Sequence, residues 1–349
     1  MNNFDIDKIK KIPLFFIIGR ARSGTTLLRT MFDAHPNVSI PIESPLIIHM
    51  LDKYGDIGYW TKGRLLEFYD DLLVVKDFQK WTIDREKLKT AILACEGQNS
   101  YQTIIKVIYW NFSSIFKKEE IKLLGDKNPV YSVSIKKVFR LFPEAKYIHL
   151  TRDYRDHILS MVRTKVYTSN VLFLAFRWKF SAKLLKELKK QRQKSFYTIK
   201  YEDLVKDTKF HLQKICDFLG IEFIPQVINY HKETEQYFEN ELKHTLEDHH
   251  KKVFKPIDAS RIDIWKTEMK DKDIRIADLI VGKYAEEAGY QRKYKDKNVP
   301  LYLKLLPGII YEKAVYSFKR TIDRFPYKMK TYIKNNSPKV SEIITNIGK

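Results

Sequence analysis

Gly19 to Pro36 read GRARSGTTLLRTMFDAHP, and the order of residue types in this stretch decides the fold. Leu14 to Ile18 (LFFII), just before it, is a wholly apolar run of strand length. From Thr25 onward, Leu27, Leu28, Met31 and Phe32 recur at helical spacing. The stretch therefore reads strand, loop, helix, which aims loop N–H groups and the positive end of a helix dipole at any anion held in the loop. Gly19 and Gly24 bracket four residues, as in the phosphate-cradling pattern GxxxxGK[ST], but Thr25 stands where that pattern has its lysine. Without that lysine the loop is poorly equipped to clamp a γ-phosphate. Arg20 and Arg22 supply guanidinium forks instead, and Ser23, Thr25 and Thr26 add hydroxyl donors. The expected ligand is a nucleotide carrying something other than a triphosphate; an ordinary glycine turn is the alternative reading of GxxxxG alone.

The chain has 349 residues, enough to bury a substantial core, and its 44% hydrophobic and 13% aromatic content argues for a globular fold. Two cysteines, Cys95 and Cys216, cannot staple a secreted scaffold and make no zinc pattern. The apolar run from Ile12 to Ile18 is too short for a signal peptide, and no other run approaches membrane-spanning length. The sequence thus reads as soluble and cytoplasmic. The net charge of +21 suggests nucleic acid, yet no binding module with interleaved aromatics, zinc ligands or helix-turn-helix signature is present, so no specific nucleic acid is expected. About half of that charge lies in residues 291–349, where fourteen Lys/Arg face four acids. There Ile309, Ile310, Val315, Phe318 and Ile322 alternate with lysines at helix-like spacing, so this basic, partly amphipathic extension either touches an anionic membrane or packs back with a solvated face.

Further along, VSIPIE reads as a second short strand ending at Glu43. Residues 44–120 are mostly helical in pattern, with no convincing strand, and read as a helical insertion over the carboxyl ends of the strands, where α/β proteins bind ligands. IKLLG (Ile121 to Gly125), a helix through SVSIKKVFRLF and the strand KYIHLT (Lys146 to Thr151) form a βαβ unit. A helix through His157, a long helix from about Val171 to Lys190, the strand SFYTIKY and a helix ending at Gly220 follow. The expected fold class is α/β: a P-loop-like three-layer arrangement with a central, mainly parallel sheet, helices on both faces and the insertion over the active site. Residues 1–290 form its domain and 291–349 an extension.

A second anion site is expected at TRDYRDHILSM, where Arg152 falls at a strand end and Ser160 eight residues on, so that both face one crevice. Two positive anchors in separate βα units suit a ligand with phosphates at both ends. The alternative is that Arg152, Asp153, Arg155 and Asp156 merely pair with one another at the surface.

Taken together, GRARSGTTLLRTMFDAHP with Glu43, GDKNP (Gly125 to Pro129), KYIHLTRDYRDHILSM, YEDLV (Tyr201 to Val205) and SRIDIWK (Ser260 to Lys266) resemble the sulfotransferases that use 3′-phosphoadenosine 5′-phosphosulfate (PAPS). The RSGTT, DAHP and following glutamate most resemble the branch that includes protein-tyrosine sulfotransferases. The resemblance implies PAPS as co-substrate, no metal, and transfer of a sulfuryl group to a hydroxyl. It implies that Arg22 to Thr26, Gly24 and Thr25 included, hold the 5′-phosphosulfate, that Arg152 and Ser160 hold the 3′-phosphate, and that Tyr201 lies near the adenine with Ser260 on the nucleotide. It further implies Glu43 as catalytic base and Lys127 as a ligand of the transferring group. The cytosolic small-molecule branch has lysine at Arg22 and tryptophan at Leu27, and uses a histidine base, which leaves the acceptor open among a carbohydrate, a glycolipid, a small metabolite and a protein tyrosine.

The roles agree with the chemistry. In-line transfer builds charge on a leaving phosphate, which Arg22, Lys127 and the loop N–H groups are suited to stabilise. A base must take the acceptor proton. Glu43 is the candidate, against its reading as an acid favouring the dipole of the following helix, and His49 is the substitute. His35 reads as a turn residue and His149 as a buried, hydrogen-bonded core residue. His244, His249 and His250 lack defined ligand geometry, Trp265 reads as an anchor, and Glu202 and Asp203 read as helix-start acids. A P-loop kinase requiring Mg²⁺ and ATP, and a non-enzymatic basic membrane- or nucleic-acid-binding module, are the competing functions.

Overall fold

The computed structural model describes residues 5–164, 168–231 and 257–337. After α1 (Ile6–Lys11) come β1 (Leu14–Ile18), α2 (Thr25–Asp33) and β2 (Val38–Ser39). The insertion holds α3 (Leu46–Tyr54), β3 (Tyr59–Trp60), α4 (Lys62–Leu73), α5 (Arg85–Leu93), β4 (Gly97–Gln98) and α6 (Tyr101–Trp110). The alternating part resumes with β5 (Leu123–Lys127), α7 (Tyr131–Leu141), β6 (Lys146–Thr151), α8 (Tyr154–Thr164), α9 (Val171–Gln191), β7 (Phe196–Lys200), α10 (Tyr201–Lys206) and α11 (Thr208–Leu219). The C-terminal part comprises α12 (Trp265–Glu268), α13 (Asp271–Val281), α14 (Tyr284–Glu287), α15 (Val299–Ile322) and α16 (Tyr327–Asn336).

The five strands β2-β5-β1-β6-β7 form one parallel sheet with β1 at its centre. All five residues of β1 are buried, because the sheet is covered on both sides. Leu14, Phe16 and Ile18 join a core with α3 to α7, whereas Phe15 and Ile17 join a second core with α2, α10 and α11. A period of two in side-chain direction thus divides one apolar run between two helical layers. A third core unites α8, α9, Trp265, α13 and Ile309 of α15.

Two expectations need correction. The second strand does not run to Glu43: β2 ends at Ser39 because Pro41 has no N–H to give the ladder, and residues 40–45 continue as irregular chain. The insertion does contain strand, an antiparallel pair of two residues each, Tyr59 opposite Gln98 and Trp60 opposite Gly97. Two residues are too few to leave a periodic signal. The pair closes an aromatic knot in which Phe68 meets Tyr54 at 4.9 Å and Trp60 at 5.5 Å, and the Trp60 indole donates to the Asn99 carbonyl at 2.9 Å. Tyr101 then ties the knot to α3 by donating to the Ile47 carbonyl at 2.8 Å.

Candidate active site

Parallel strands bring their carboxyl ends to one edge of the sheet. Ile17 pairs with Lys127 and Thr151 with Lys200, so Gly19, Lys127, Arg152 and Tyr201 all emerge there. The loop after β1 ends at Gly24, which caps α2 in a left-handed conformation (φ 90°) without any side-chain cap, leaving the first-turn N–H groups directed outward. Only glycine fits, because a Cβ at Gly24 would come within 2.4 Å of the Tyr201 ring. Arg22 is also left-handed (φ 68°), a conformation that costs a residue with a Cβ about 1–2 kcal/mol. Tertiary contacts hold it: Arg152 Nη1 donates to the Arg22 carbonyl at 3.1 Å, and Arg22 Nε donates to Ser160 Oγ at 3.3 Å.

Arg152 is the keystone of this end. Its side chain is buried and stacks on Tyr201 with 4.7 Å from guanidinium to ring centre, and Nη2 donates to the Arg261 carbonyl at 2.7 Å. Its Nε is buried with no partner among the described residues, a donor left open beside the loop. The neighbouring charges do not form the surface cluster that was the alternative. Arg155 grips Asp153 through two bonds of 2.9 and 2.7 Å and lies 3.5 Å over Trp265, all buried. Asp156 accepts the backbone N–H groups of Asp263 and Trp265, both at 2.8 Å, and burial raises its pKa to about 6. Asp156 thereby pins the SRIDIWK segment against α8, and Trp265 is the anchor it was expected to be.

At the other end, Lys127 forms an ion pair with Glu43 and donates to Thr26 Oγ1 at 3.1 Å. Lys127 is 1% exposed, and burial, with Arg29 nearby, pulls its pKa well below the ordinary lysine value. Glu43 does not serve the following helix: α3 begins at Leu46 with no side-chain cap and no acid in its first turn. Its carboxylate, 36% exposed, instead faces the crevice end of β5. Two residues that sequence reasoning missed put it there. Arg29 donates to the Ile40 carbonyl at 2.9 and 2.5 Å and to Asp33 at 3.2 Å, while Asp33 accepts the Ile40 N–H at 3.1 Å. Both backbone polar groups of Ile40 are thus held from α2, which sets the course of the chain to Glu43.

Ser23 and Thr25 are buried in the loop and Thr26 is half-buried. Arg20 is buried but turns to the C-terminal helix, beside Tyr316, Glu312 and Arg177, with burial lowering its pKa. Ser260 is exposed and gives its hydroxyl to Asp258 at 2.6 Å, though the next residue, Arg261, lends its carbonyl to Arg152. His35 accepts the Asn37 N–H at 3.1 Å and bonds the Glu222 carbonyl at 2.9 Å, so it serves the turn. His49 is exposed on α3. His149 is only half-buried, bonded to Lys189 at 2.9 Å along a cavity of about 800 Å³ between α9 and β7. His157, not singled out by the sequence, is fully buried beside Arg20, Arg152 and Arg22, which together with burial hold its ring neutral. Glu202 does more than start a helix: it accepts the Asp153 N–H at 2.9 Å and the Tyr290 hydroxyl at 3.0 Å. His244, His249 and His250 lie outside the described residues.

A parallel α/β sheet with a glycine loop, two arginines and a lysine gathered over the strand ends defines a P-loop-type protein built to hold an anionic nucleotide. Comparison gives the family. The chain belongs to the sulfotransferase family, whose model matches residues 13–225. Among curated proteins it is 26% identical over 280 residues to a protein-tyrosine sulfotransferase of Drosophila melanogaster, covering 77% of this chain and 50% of that one. It is 28% identical over 239 residues to protein-tyrosine sulfotransferase 2 of Gallus gallus, covering 66% of this chain and 57% of the relative. The chain therefore spans about half the length of these relatives. Among solved structures, the sulfotransferase domain of the Synechococcus PCC 7002 olefin synthase superposes with a TM-score of 0.50 at 23% identity, over 76% of this chain and 93% of that one. The sulfotransferase domain of the curacin biosynthetic pathway gives the same TM-score and identity over 80% and 98%. These two confirm the fold.

Proposed function

We propose that this chain transfers the sulfuryl group of PAPS to a hydroxyl acceptor. The observation that carries the reading is the Glu43–Lys127 pair at the end of β5, on one side of the β1 loop that holds Arg22, with Arg152 and Ser160 beyond β6 on the other, so that a base and a buried cation face an anion cradle with a second anion anchor behind it. The residues fit the donor. The open N-terminus of α2 and Arg22 suit its 5′ end, the open Arg152 Nε, with Ser160 joined to Arg152 through Arg22, suits a 3′-phosphate, and the Tyr201 ring against Gly24 offers a face to adenine. When bound, the donor supplies an activated sulfuryl group. Glu43 takes the acceptor proton, Lys127 steadies the oxygens of the group in flight, and Arg22 with the loop N–H groups stabilises charge on the departing phosphate.

The names of the relatives support a hydroxyl-bearing acceptor and put a protein tyrosine among the candidates. Two buried free cysteines, Cys95 and Cys216, accord with work in the cytoplasm.

The test incubates the protein with PAPS and separate tyrosine-peptide, sugar and lipid acceptors, with EDTA present. A sulfate ester should form on one class of acceptor, and Glu43→Gln should lower its turnover by roughly 10²-fold or more while 3′-phosphoadenosine 5′-phosphate still binds. Unchanged turnover in that variant moves the base to His49, and a nucleotide that binds only as Mg²⁺-ATP replaces the reading with a kinase.

A further inference from the structure

Bulky apolar side chains in solvent are concentrated on one part of the molecule. Val299, Leu303, Ile310 and Phe318 on α15 and Met329 and Tyr332 on α16 are between 45% and 68% exposed. Elsewhere among the described residues such side chains stand singly, as at Tyr59, Val74 and Phe210. At about 100° per residue, Val299, Leu303, Ile310 and Phe318 fall within an arc of roughly 100°. Of the four buried residues of α15, Ile309, Glu312 and Tyr316 lie opposite, and Ile322 turns under at the C-terminal end of the stripe beside Phe318. That inner side is fully engaged: Glu312 pairs with Arg177 at 3.3 Å, and Tyr316 stacks on Phe180 at 4.0 Å. The outer stripe has no partner among the described residues.

The charges around the stripe say what covers it. On the same angular count Lys304 lies along one flank and Lys313 and Arg320 along the other. The acid of α15 and the one that follows it are both neutralised, Glu312 by Arg177 and Asp323 by Lys319 (2.7 Å) and Lys137 (3.3 Å). Lys304, Lys313, Arg320, Arg324 and Lys328 make no ion pair among the described residues. An apolar stripe between two rows of unneutralised cations matches the boundary between headgroups and acyl chains of an anionic bilayer. A second copy of this surface would set its cations against their own kind. None of the described helices is long and apolar enough to cross a membrane, so the helix would lie in the plane of the surface.

We infer that the outer face of α15, extended by α16, docks this protein onto an anionic lipid surface. The inner face of the same helix meets Arg20 of the nucleotide loop, and α16 leans on α3 through Lys330 and Asp52 at 2.8 Å. Docking therefore seats on the bilayer the helix against which Arg20, next to the nucleotide loop, is packed. An acceptor hydroxyl presented at that surface follows only where the sulfotransferase reading also holds.

The test sediments the full chain with phosphatidylcholine vesicles and with vesicles containing phosphatidylserine, at low and at high salt. Binding should be at least roughly tenfold tighter to the anionic vesicles and weaken with salt. The double variant Leu303→Glu/Ile310→Glu should lose it with an unchanged melting temperature, and Lys304→Glu/Lys313→Glu/Arg320→Glu should lose the anionic preference. Equal affinity for both vesicle types, no binding, or an unaffected Leu303→Glu/Ile310→Glu variant overturns the inference. So does a wild-type dimer that this variant converts to monomer without any vesicle affinity. Nucleotide affinity, measured separately by calorimetry, judges the reaction and leaves the docking result standing on its own.

Discussion

Replacing Arg152 by alanine tests whether the crevice holds a nucleotide by two separate phosphates. The wild-type guanidinium spends Nη1 on the Arg22 carbonyl and Nη2 on the Arg261 carbonyl, leaving buried Nε with no partner among the described residues. A hydrogen bond between a charged group and a phosphate contributes about 1.5–3 kcal/mol, so losing it should weaken 3′-phosphoadenosine 5′-phosphate binding by roughly 10- to 150-fold. Adenosine 5′-phosphate, which lacks the 3′ group, reports the other consequence, a loop no longer braced at the Arg22 carbonyl. Calorimetry with both nucleotides separates the two. The bisphosphate should lose roughly tenfold more affinity than the monophosphate, and Ser160→Ala should show the same preference on a smaller scale. Because Arg152 is buried and its loss orphans two carbonyls, titrations belong well below the melting temperature of the variant. Equal losses for the two nucleotides would refute the reasoning and reduce Arg152 to a brace for the loop.

Lys127→Met should cut turnover by roughly 10²–10³-fold while leaving nucleotide affinity nearly intact, and in the wild type kcat should fall on the alkaline side at a lower pH than an exposed lysine would give, because burial favours the uncharged amine; a pH profile without that alkaline limb removes Lys127 from the chemistry. Asp126, on the opposite face of β5 and bonded by the Tyr131 hydroxyl, has a pKa raised by burial from 3.8 to about 7. The native state therefore keeps its proton to higher pH than the unfolded chain does, so this group withdraws stability as pH rises from about 4 to about 7. Asp126→Asn should gain stability relative to wild type across that interval in urea unfolding, and a difference independent of pH would contradict it.

How much of this was legible can be argued residue by residue. The glycine loop was legible because LFFII and the Leu27–Phe32 spacing frame it within twenty residues. Lys146 to Thr151 matches β6 end to end, since its apolar Tyr147, Ile148 and Leu150 are the residues the covered sheet buries. Pro41 in VSIPIE was visible, but its effect on the ladder becomes decisive only beside β5. Nothing local marks Arg29 as the holder of Ile40, because a long polar side chain on a helix is usually solvated and only its fully buried environment here shows otherwise. Arg20 was read with the loop it belongs to in sequence, while its neighbours Tyr316 and Glu312 come from nearly three hundred residues away.

What the chain determines alone is the local order of strand, glycine loop and helix, the alternation that makes a parallel sheet, and the stock of arginine, lysine and carboxylate near strand ends. These depend on backbone sterics and side-chain period, which operate over a few residues. The tertiary structure decides which charges meet and which face water. It sets Arg152 against the carbonyls of Arg22 and Arg261, pairs Lys127 with Glu43, draws Arg20 away to α15 and leaves the other side of α15 bare. Hydrogen bonds and ion pairs act over a few ångströms of space, and folding alone determines which distant residues come that close.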